Sequence, residues 1–352
     1  MRTTRLQVRL DEITPPLLRV LDVPATSTLA EVHLLLQAAL GFVDTHLYEF
    51  GAGEARYGPI DEDADEELVD ATEVRLSAVA PELSYVYDFG DWWSFTVTVL
   101  GPGDDEPGLV SGEGDEPLDD IGGATGYARA REAGELRPFD ADRIGARLQR
   151  VLGRVPAGVQ VVLDAIAGGV QLTPQGRLPR TVVRQIQQRY PMWHPRGDEA
   201  PPAQREDDLH PLVVVHDLVR RSRLARARHG VLSPTKSAAD PVEAVRRLRA
   251  AFPAGSFRRL LVETVVGILL VEGPQRTQAL VSALYDGLGL YWIRQGEPLT
   301  EEDMMIALLR DANLLMALGQ VEQEDHRSVD TWRAGPEAGW LLPRTALFAP
   351  ES

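Results

Sequence analysis

Apolar and polar positions alternate in two runs near the start of the chain, RLQVRL (5–10) and LLRVLDVP (17–24), the period-two pattern of half-buried strands. DEITPP joins them, and its paired prolines suit a turn or strand edge, so the spacing predicts a hairpin. The period then changes. In TLAEVHLLLQAALG, Leu29, Val32, Leu36 and Leu40 recur at helical spacing, Thr28 and Glu31 form a capping box, and Gly41 stands where a helix would end. His33 reads as a surface or boundary position of that helix. Four further runs, HLYEFGAG (46–53), EVRLSAV (73–79), LSYVYDFG (83–90) and WSFTVTVL (93–100), read as strands, and the acidic DEDADEELVD (61–70) as a solvated loop. Residues 101–123, rich in Gly, Asp, Glu and Pro, read as irregular, either covering the sheet or hanging loose, and helical segments near 126–152 lead out of the domain.

Beyond residue 155 the texture is helical. GVQVVLDAIAGG (158–169), RTVVRQIQQRY behind Pro179, and HPLVVVHDLVRRSRL (210–224) read as helices; VQLTPQGRLP reads as a strand and turn, and RARHGVLSP as a hairpin. A third helical group fills 241–319, and GWLLPRTALF (339–348) reads as a last strand. VQLTP, VLSP and WLLP each follow a helical segment, a weak internal repeat with the rhythm of winged-helix modules. The expected fold is α+β: a β-grasp-like N-terminal domain, then an α-rich, winged-helix-like C-terminal region. The expected boundaries are a domain at 1–130, a helical connector at 131–155, a basic winged-helix-like domain at 156–240 and a second α-rich, winged-helix-like domain at 241–352.

Composition narrows the chemistry. With 352 residues, 44% hydrophobic and 25% charged, the chain has the make-up of a folded protein with more than one core. It has no cysteine, which excludes disulfides, thiolate zinc sites and a cysteine nucleophile. The longest apolar tract, LLVETVVGILLVEG (260–273), is too short for a bilayer, and the N-terminus has no apolar core of signal-peptide length, so we expect a cytoplasmic protein without a membrane partner. The net charge of −17 is divided: −18 over residues 1–150, +9 over 151–260 and −8 over 261–352. Within the basic part, Arg220, Arg221, Arg223, Arg226 and Arg228 cluster at a helix end and in the expected hairpin. Such a cluster suits phosphate contacts, with DNA or a protein as partner; it also suits the negative end of a helix dipole.

The stretch YVYDFGDWWSF (85–95) sets two carboxylates and a glycine at a strand end. One reading is a hairpin corner capped by Asp88 and Asp91. The other brings His46, Glu49, Asp88, Asp91 and Glu113 to one cleft, a set suited to Mg²⁺, Mn²⁺ or Ca²⁺ and, through it, to metal-assisted hydrolysis of a phosphate ester. Trp92 and Trp93 are consecutive and face opposite sides of a strand, so one belongs to the core and the other is exposed or covered. No phosphate-loop, dinucleotide, Gly-x-Ser-x-Gly or His-Glu-x-x-His pattern occurs, so no catalytic residue is assigned and no other cofactor is expected.

The first ~130 residues resemble the plasmid pRiA4b ORF-3-like family, which includes the TnpR passenger protein of mycobacterial insertion sequences. The pieces that carry the likeness are VPATSTLAEVHLLLQAALGFVDTHLYEF (23–50), YGP (57–59), VRLSAV (74–79), YDFGDWW (87–93) and SGEGDEPLDDIGGATGY (111–127). Asp44, His46, Glu49, Phe50, Asp88, Gly90, Asp91, Trp93, Gly112, Glu113, Pro117, Asp120, Gly122, Gly123, Gly126 and Tyr127 stand at matching positions. Tyr48 and Phe95 replace family histidines, Trp92 replaces a glycine, and the family's cysteines are absent. If relatives bind a metal through those groups, this chain has lost ligands. The family is mostly uncharacterised and tied to mobile elements by location, so the resemblance implies little chemistry; we expect a mobile-element-associated, non-enzymatic adaptor that binds DNA or a protein, with the hydrolase and a purely protein-binding module as the alternatives.

Overall fold

The computed structural model describes residues 2–60, 67–289, 292–294, 297–325 and 328–349; residues 61–66 of the acidic stretch lie outside the described residues. The two opening runs form β1 (Thr3–Leu10) and β2 (Leu18–Pro24), paired antiparallel with Leu6 opposite Leu21. α1 (Leu29–Leu40) starts at Thr28, whose side chain accepts from the Glu31 N–H while Glu31 accepts from the Thr28 N–H, and it ends at Gly41 with φ 97°. β3 (Tyr48–Ala52), β4 (Ala55–Gly58), β5 (Leu68–Asp70), β6 (Glu82–Tyr87), β7 (Trp93–Pro102) and β8 (Gly108–Glu113) complete one eight-stranded sheet in the order β5-β4-β3-β6-β7-β1-β2-β8. Every ladder is antiparallel except β4 with β5.

Two expectations are corrected here. EVRLSAV holds a short 3₁₀ turn at Leu76–Ala78, because the Leu76 N–H bonds to the Ser27 carbonyl rather than to a sheet neighbour. Part of the segment read as irregular is a real edge strand, β8, recruited by β2 although its glycines weaken the alternating pattern.

α2 (Gly123–Ala133) and α3 (Ala141–Leu152) follow. α3 buries Ile144, Leu148 and Val151 and packs on α1 and β8. The stretch expected as a connector is therefore largely built into the first of two compact units, which spans residues 1–152; the second spans 153–350. Inside the first unit Arg19 is wholly buried, donating to the carbonyls of Leu18, Ala39, Glu113 and Gly114; burial lowers its guanidinium to about 10. Glu116 is buried between Arg143 and Arg147, at 2.7 and 2.8 Å. Arg19 and Glu116 anchor the loop that leaves β8.

The second unit runs α4 (Ala157–Ala165), β9 (Val170–Gln171), α5 (Arg180–Arg189), α6 (His210–Arg221) and the hairpin β10 (Ala225–Arg228) with β11 (Val231–Pro234), then α7 (Pro241–Arg249). It continues with α8 (Phe257–Val271), β12 (Gln275–Arg276), α9 (Thr277–Leu284), the short pair β13 (Ile293–Arg294) and β14 (Glu297–Pro298), α10 (Glu301–Ala317), and the hairpin β15 (Val321–Asp325) with β16 (Ser328–Ala334). The topology occurs twice: helix, strand, helix, helix, hairpin. In each copy the lone strand pairs with the second hairpin strand, β9 with β11 and β12 with β16. α6 packs against α10, and one apolar cluster, including Val162, Leu212, Val265, Leu308 and Trp332, runs through both copies. The strand expected at 339–348 is instead a short helix, α11 (Pro343–Leu347), started by the proline at its first position. Among the described residues no helix is long and apolar enough to cross a membrane.

Candidate functional site

The corner between β6 and β7 is tight. Asp88 has φ 57° and its Oδ1 accepts the Gly90 N–H at 2.9 Å; the Trp92 N–H reaches the Asp88 carbonyl, and Trp92 itself has φ 55°. The Asp88 N–H donates to the Leu47 carbonyl at 2.9 Å, which sets the corner beside the turn ahead of β3 and so beside His46. Trp93, now in β7, is fully buried, whereas Trp92 is 58% exposed.

A third segment closes on this pair. After β8 the chain turns through Asp119 and Asp120, the latter at φ 56°, and the Gly122 N–H donates to Asp91 Oδ2 at 2.8 Å. Gly123, at φ 61°, lies so close to the corner that a Cβ would stand 2.1 Å from the Asp91 carbonyl oxygen, so only glycine fits. His46 Nε2 then lies 3.7 Å from Asp88 Oδ2 and 3.5 Å from Asp120 Oδ1, and ligand atoms of all three lie within 4.8 Å of one another. Asp119 stands next to them. Burial holds its carboxyl above the usual range, opposed by His46 and by a Tyr87 hydrogen bond and aided by Asp120, and among the described residues its Oδ1 is buried without a hydrogen-bond partner. One imidazole and several carboxylates form an oxygen-rich set of the kind hard divalent cations take.

Two of the five residues expected at this site, His46 and Asp88, come together, joined by Asp119 and Asp120. Glu49 is held by Arg56 at 2.7 Å on β3 and β4. Asp91 is spent on the Gly122 N–H, and Glu113 is exposed at the end of β8, opposite Leu18. The cue for the missing pair was LDD directly ahead of IGG, a carboxylate pair on a turn. Each segment of the cluster also carries an exposed apolar neighbour: Leu47, Phe89 and Leu118, with Trp92 6.1 Å from Phe89 between ring centres.

The arginine cluster lies in the second unit. Arg220 and Arg221 end α6, Arg223 follows with φ 58°, and Arg226 and Arg228 stand on β10, ahead of a hairpin turn in which His229 and Gly230 have φ 50° and 79°. Arg221 pairs with Asp217 one turn back. Arg220, Arg223, Arg226 and Arg228 are exposed and have no carboxylate partner among the described residues.

Residues 2–142 match the family described as plasmid pRiA4b ORF-3-like protein, and residues 155–247 match the Y4jL N-terminal domain. The uncharacterized protein y4hQ of Sinorhizobium fredii (strain NBRC 101917 / NGR234) is 38% identical over 138 residues, which cover 37% of this chain and 71% of that protein. A crystal structure of a protein of unknown function from Methanosarcina mazei Go1 is 28% identical, with a TM-score of 0.35, over 38% of this chain and 81% of that one. The His46, Asp88 and Asp120 segments all fall inside the matched region, and through it the chain belongs to the plasmid pRiA4b ORF-3-like family.

Proposed function

We propose that this chain is a cytoplasmic, mobile-element-associated adaptor whose second unit holds the phosphate backbone of duplex DNA. One observation carries the reading: Arg220, Arg223, Arg226 and Arg228 are exposed and, among the described residues, unpaired, in a chain of net charge −17. Carboxylates outnumber cations, so four guanidinium groups left without one on a single helix end and hairpin are free to replace phosphate counterions. The order α4, β9, α5, α6, β10, β11 supports a winged-helix-like reading, with β10 and β11 as the wing. α6 packs on α10 and carries Asp217 on its exposed side, so the contacts fall to its C-terminal end and to the wing. The first unit, β-grasp-like in its order of two strands, a helix and further strands, differs from that pattern in the antiparallel pairing of β1 with β7. Its association with mobile elements rests on the family resemblance.

Fluorescence anisotropy of a labelled duplex with the full chain tests this. Four phosphate contacts give a log–log salt slope of about −3 to −4. Binding that ignores salt, or that survives Arg226→Glu with Arg228→Glu unchanged, would sink the reading.

A second reading, metal-assisted hydrolysis of a phosphate ester, is favoured by the convergence of His46, Asp88 and Asp120. Its test is Mn²⁺-dependent cleavage of bis(p-nitrophenyl) phosphate that Asp120→Asn abolishes; no cleavage would retire it. A protein-binding module alone would use the apolar rim of Leu47, Phe89, Trp92 and Leu118.

A further inference from the structure

Within the second unit a cavity of about 440 Å³ opens between the first turn of α4, residues 190–195, the start of α6, the end of α10 and the start of β15. That volume lies in the range of small-molecule sites. Its walls are aromatic and thioether: Tyr190 and Trp193, with ring centres 4.8 Å apart, together with Met192 and Met316.

Several of the polar groups that line the cavity, beside Tyr190, His210, Asn313 and two carboxylates, are donors with no acceptor among the described residues. Trp193 is 5% exposed, and its indole N–H has no acceptor among the described residues. The Cζ2 edge of that indole lies against Gly158: a Cβ there would stand 3.0 Å from it and 2.0 Å from the Ala317 carbonyl oxygen at the end of α10. Gly158 and Ala157 form the first turn of α4, whose N-cap is Pro156 and lacks a capping side chain, so their N–H groups have no helical acceptor. Among the described residues Gln323 adds a buried Nε2 without a partner. His194 Nδ1 accepts the Arg196 N–H at 3.1 Å, which leaves Nε2 as the protonated nitrogen of the neutral ring. Of the two carboxylates on the wall, Glu337 is neutralised by Arg154 at 2.7 Å and Glu322 is exposed. An indole N–H, an uncapped helix start and a primary amide, set against aromatic walls, call for an acceptor that is anionic and planar.

We propose that this cavity binds a planar aromatic carboxylate of one or two fused rings, its carboxylate at Trp193 Nε1 and the first turn of α4 and its ring against Tyr190 and the methionines. The site is separate from the arginine cluster and does not depend on DNA binding.

Isothermal titration of the full chain with 2-naphthoate, and with 2-naphthalenemethanol as the neutral isostere, tests it. The expected result is one-to-one binding of the acid at least ten-fold tighter than the alcohol, and a Trp193→Phe chain that loses about five-fold for the acid while keeping its affinity for the alcohol. No binding of the acid at millimolar concentration, or equal binding of acid and alcohol, overturns the proposal on the unmodified protein alone. Loss of both ligands equally in a folded Trp193→Phe chain overturns the assignment of the carboxylate to the indole.

Discussion

His33 Nε2 lies 2.9 Å from Asp44 Oδ1, joining the middle of α1 to the turn that leads to His46. The ring is 2% exposed and stacks on Tyr48 at 3.6 Å, so it is an interior group and not the surface or boundary residue the helix pattern suggested. The network accommodates one tautomer of the neutral ring. Gln37 Nε2 donates to the Tyr85 hydroxyl, which is then free to donate to His33 Nδ1 at 2.8 Å, leaving the proton of a neutral ring on Nε2 to bond Asp44. Gln37 Oε1 accepts the Asp44 N–H, which closes the loop. Replacing His33 by Ala removes one hydrogen bond from the buried Tyr85 hydroxyl and one from Asp44, and opens a cavity. We expect a loss of about 2–4 kcal/mol by urea unfolding. A loss below about 1 kcal/mol would show that the network does not hold the turn.

The cluster at His46 should answer to both metal and pH. Mn²⁺ is expected to raise the melting temperature and Asp120→Asn to cancel the rise. Burial keeps the Asp119 carboxyl above its ordinary range, so the folded state binds this proton at a higher pH than the unfolded chain does. Its contribution to stability is therefore fully present below the unfolded value of about 3.9 and is lost as pH rises through the folded value. Melting curves between about pH 3 and pH 7 should show Asp119→Asn removing that part of the slope. Added Mn²⁺ acts in the opposite sense, favouring the ionised carboxylates and protecting more at neutral than at acid pH. An identical pH profile for Asp119→Asn would remove this group from the account.

Trp92 presents a backbone argument. At φ 55° a non-glycine residue costs about 1 kcal/mol, and a side chain 58% exposed recovers little by burial. The family resemblance places glycine at this position. Trp92→Gly should stabilise the fold by up to about 1 kcal/mol, less the extra entropy of a glycine in the unfolded chain. Trp93→Ala, one residue on but fully buried, should cost about 3–5 kcal/mol. If Trp92→Gly instead destabilises, the contact of its ring with Phe89 outweighs the strain.

Local signals were legible where one residue type does one job. Thr28, Glu31 and Gly41 bound α1 as their types require, and the consecutive tryptophans separate into one buried and one exposed. The carboxylate cluster was half legible. His46, Asp88 and Asp120 all lie in the matching segments, but Asp120 is not among the expected ligands: it meets the other two where Arg19 and Glu116 anchor the loop after β8 and the Gly122 N–H bonds to Asp91. Those are contacts between segments far apart in the chain, which no local pattern encodes. β8 and α11 were misread for a related reason: glycines hid an edge strand that β2 recruits, and apolar WLLP resembled a strand although its proline begins a helix. The duplicated topology of the second unit was not legible in the short matches: VQLTP and VLSP fall on β9 and β11 of one copy and WLLP runs into α11, because what repeats is strand pairing rather than residues.

Glu206 offers a direct test of how α6 is held. It is 1% exposed; its Oε1 lies 2.8 Å from His216 Nδ1 on α6, and its Oε2 accepts the Leu178 N–H at 2.8 Å, ahead of α5. The side chain thus ties two helices of the first repeat together, with the Arg177 guanidinium 3.9 Å away. His216 Nε2 is buried without a partner, so the ring depends on Glu206 for its one hydrogen bond among the described residues. Glu206→Ala strands both the ring and the Leu178 N–H, and breaking a buried, charge-assisted pair of this kind costs about 3–5 kcal/mol. Glu206→Gln keeps an acceptor for Leu178 or His216 but not full acceptance for both, and should cost about 1–2 kcal/mol. Urea midpoints of the two variants, read by far-ultraviolet circular dichroism, should fall in that order. Equal midpoints for Ala, Gln and the unaltered chain would mean that α6 is held by its apolar face against α10 and that the buried carboxylate has no part in fixing it.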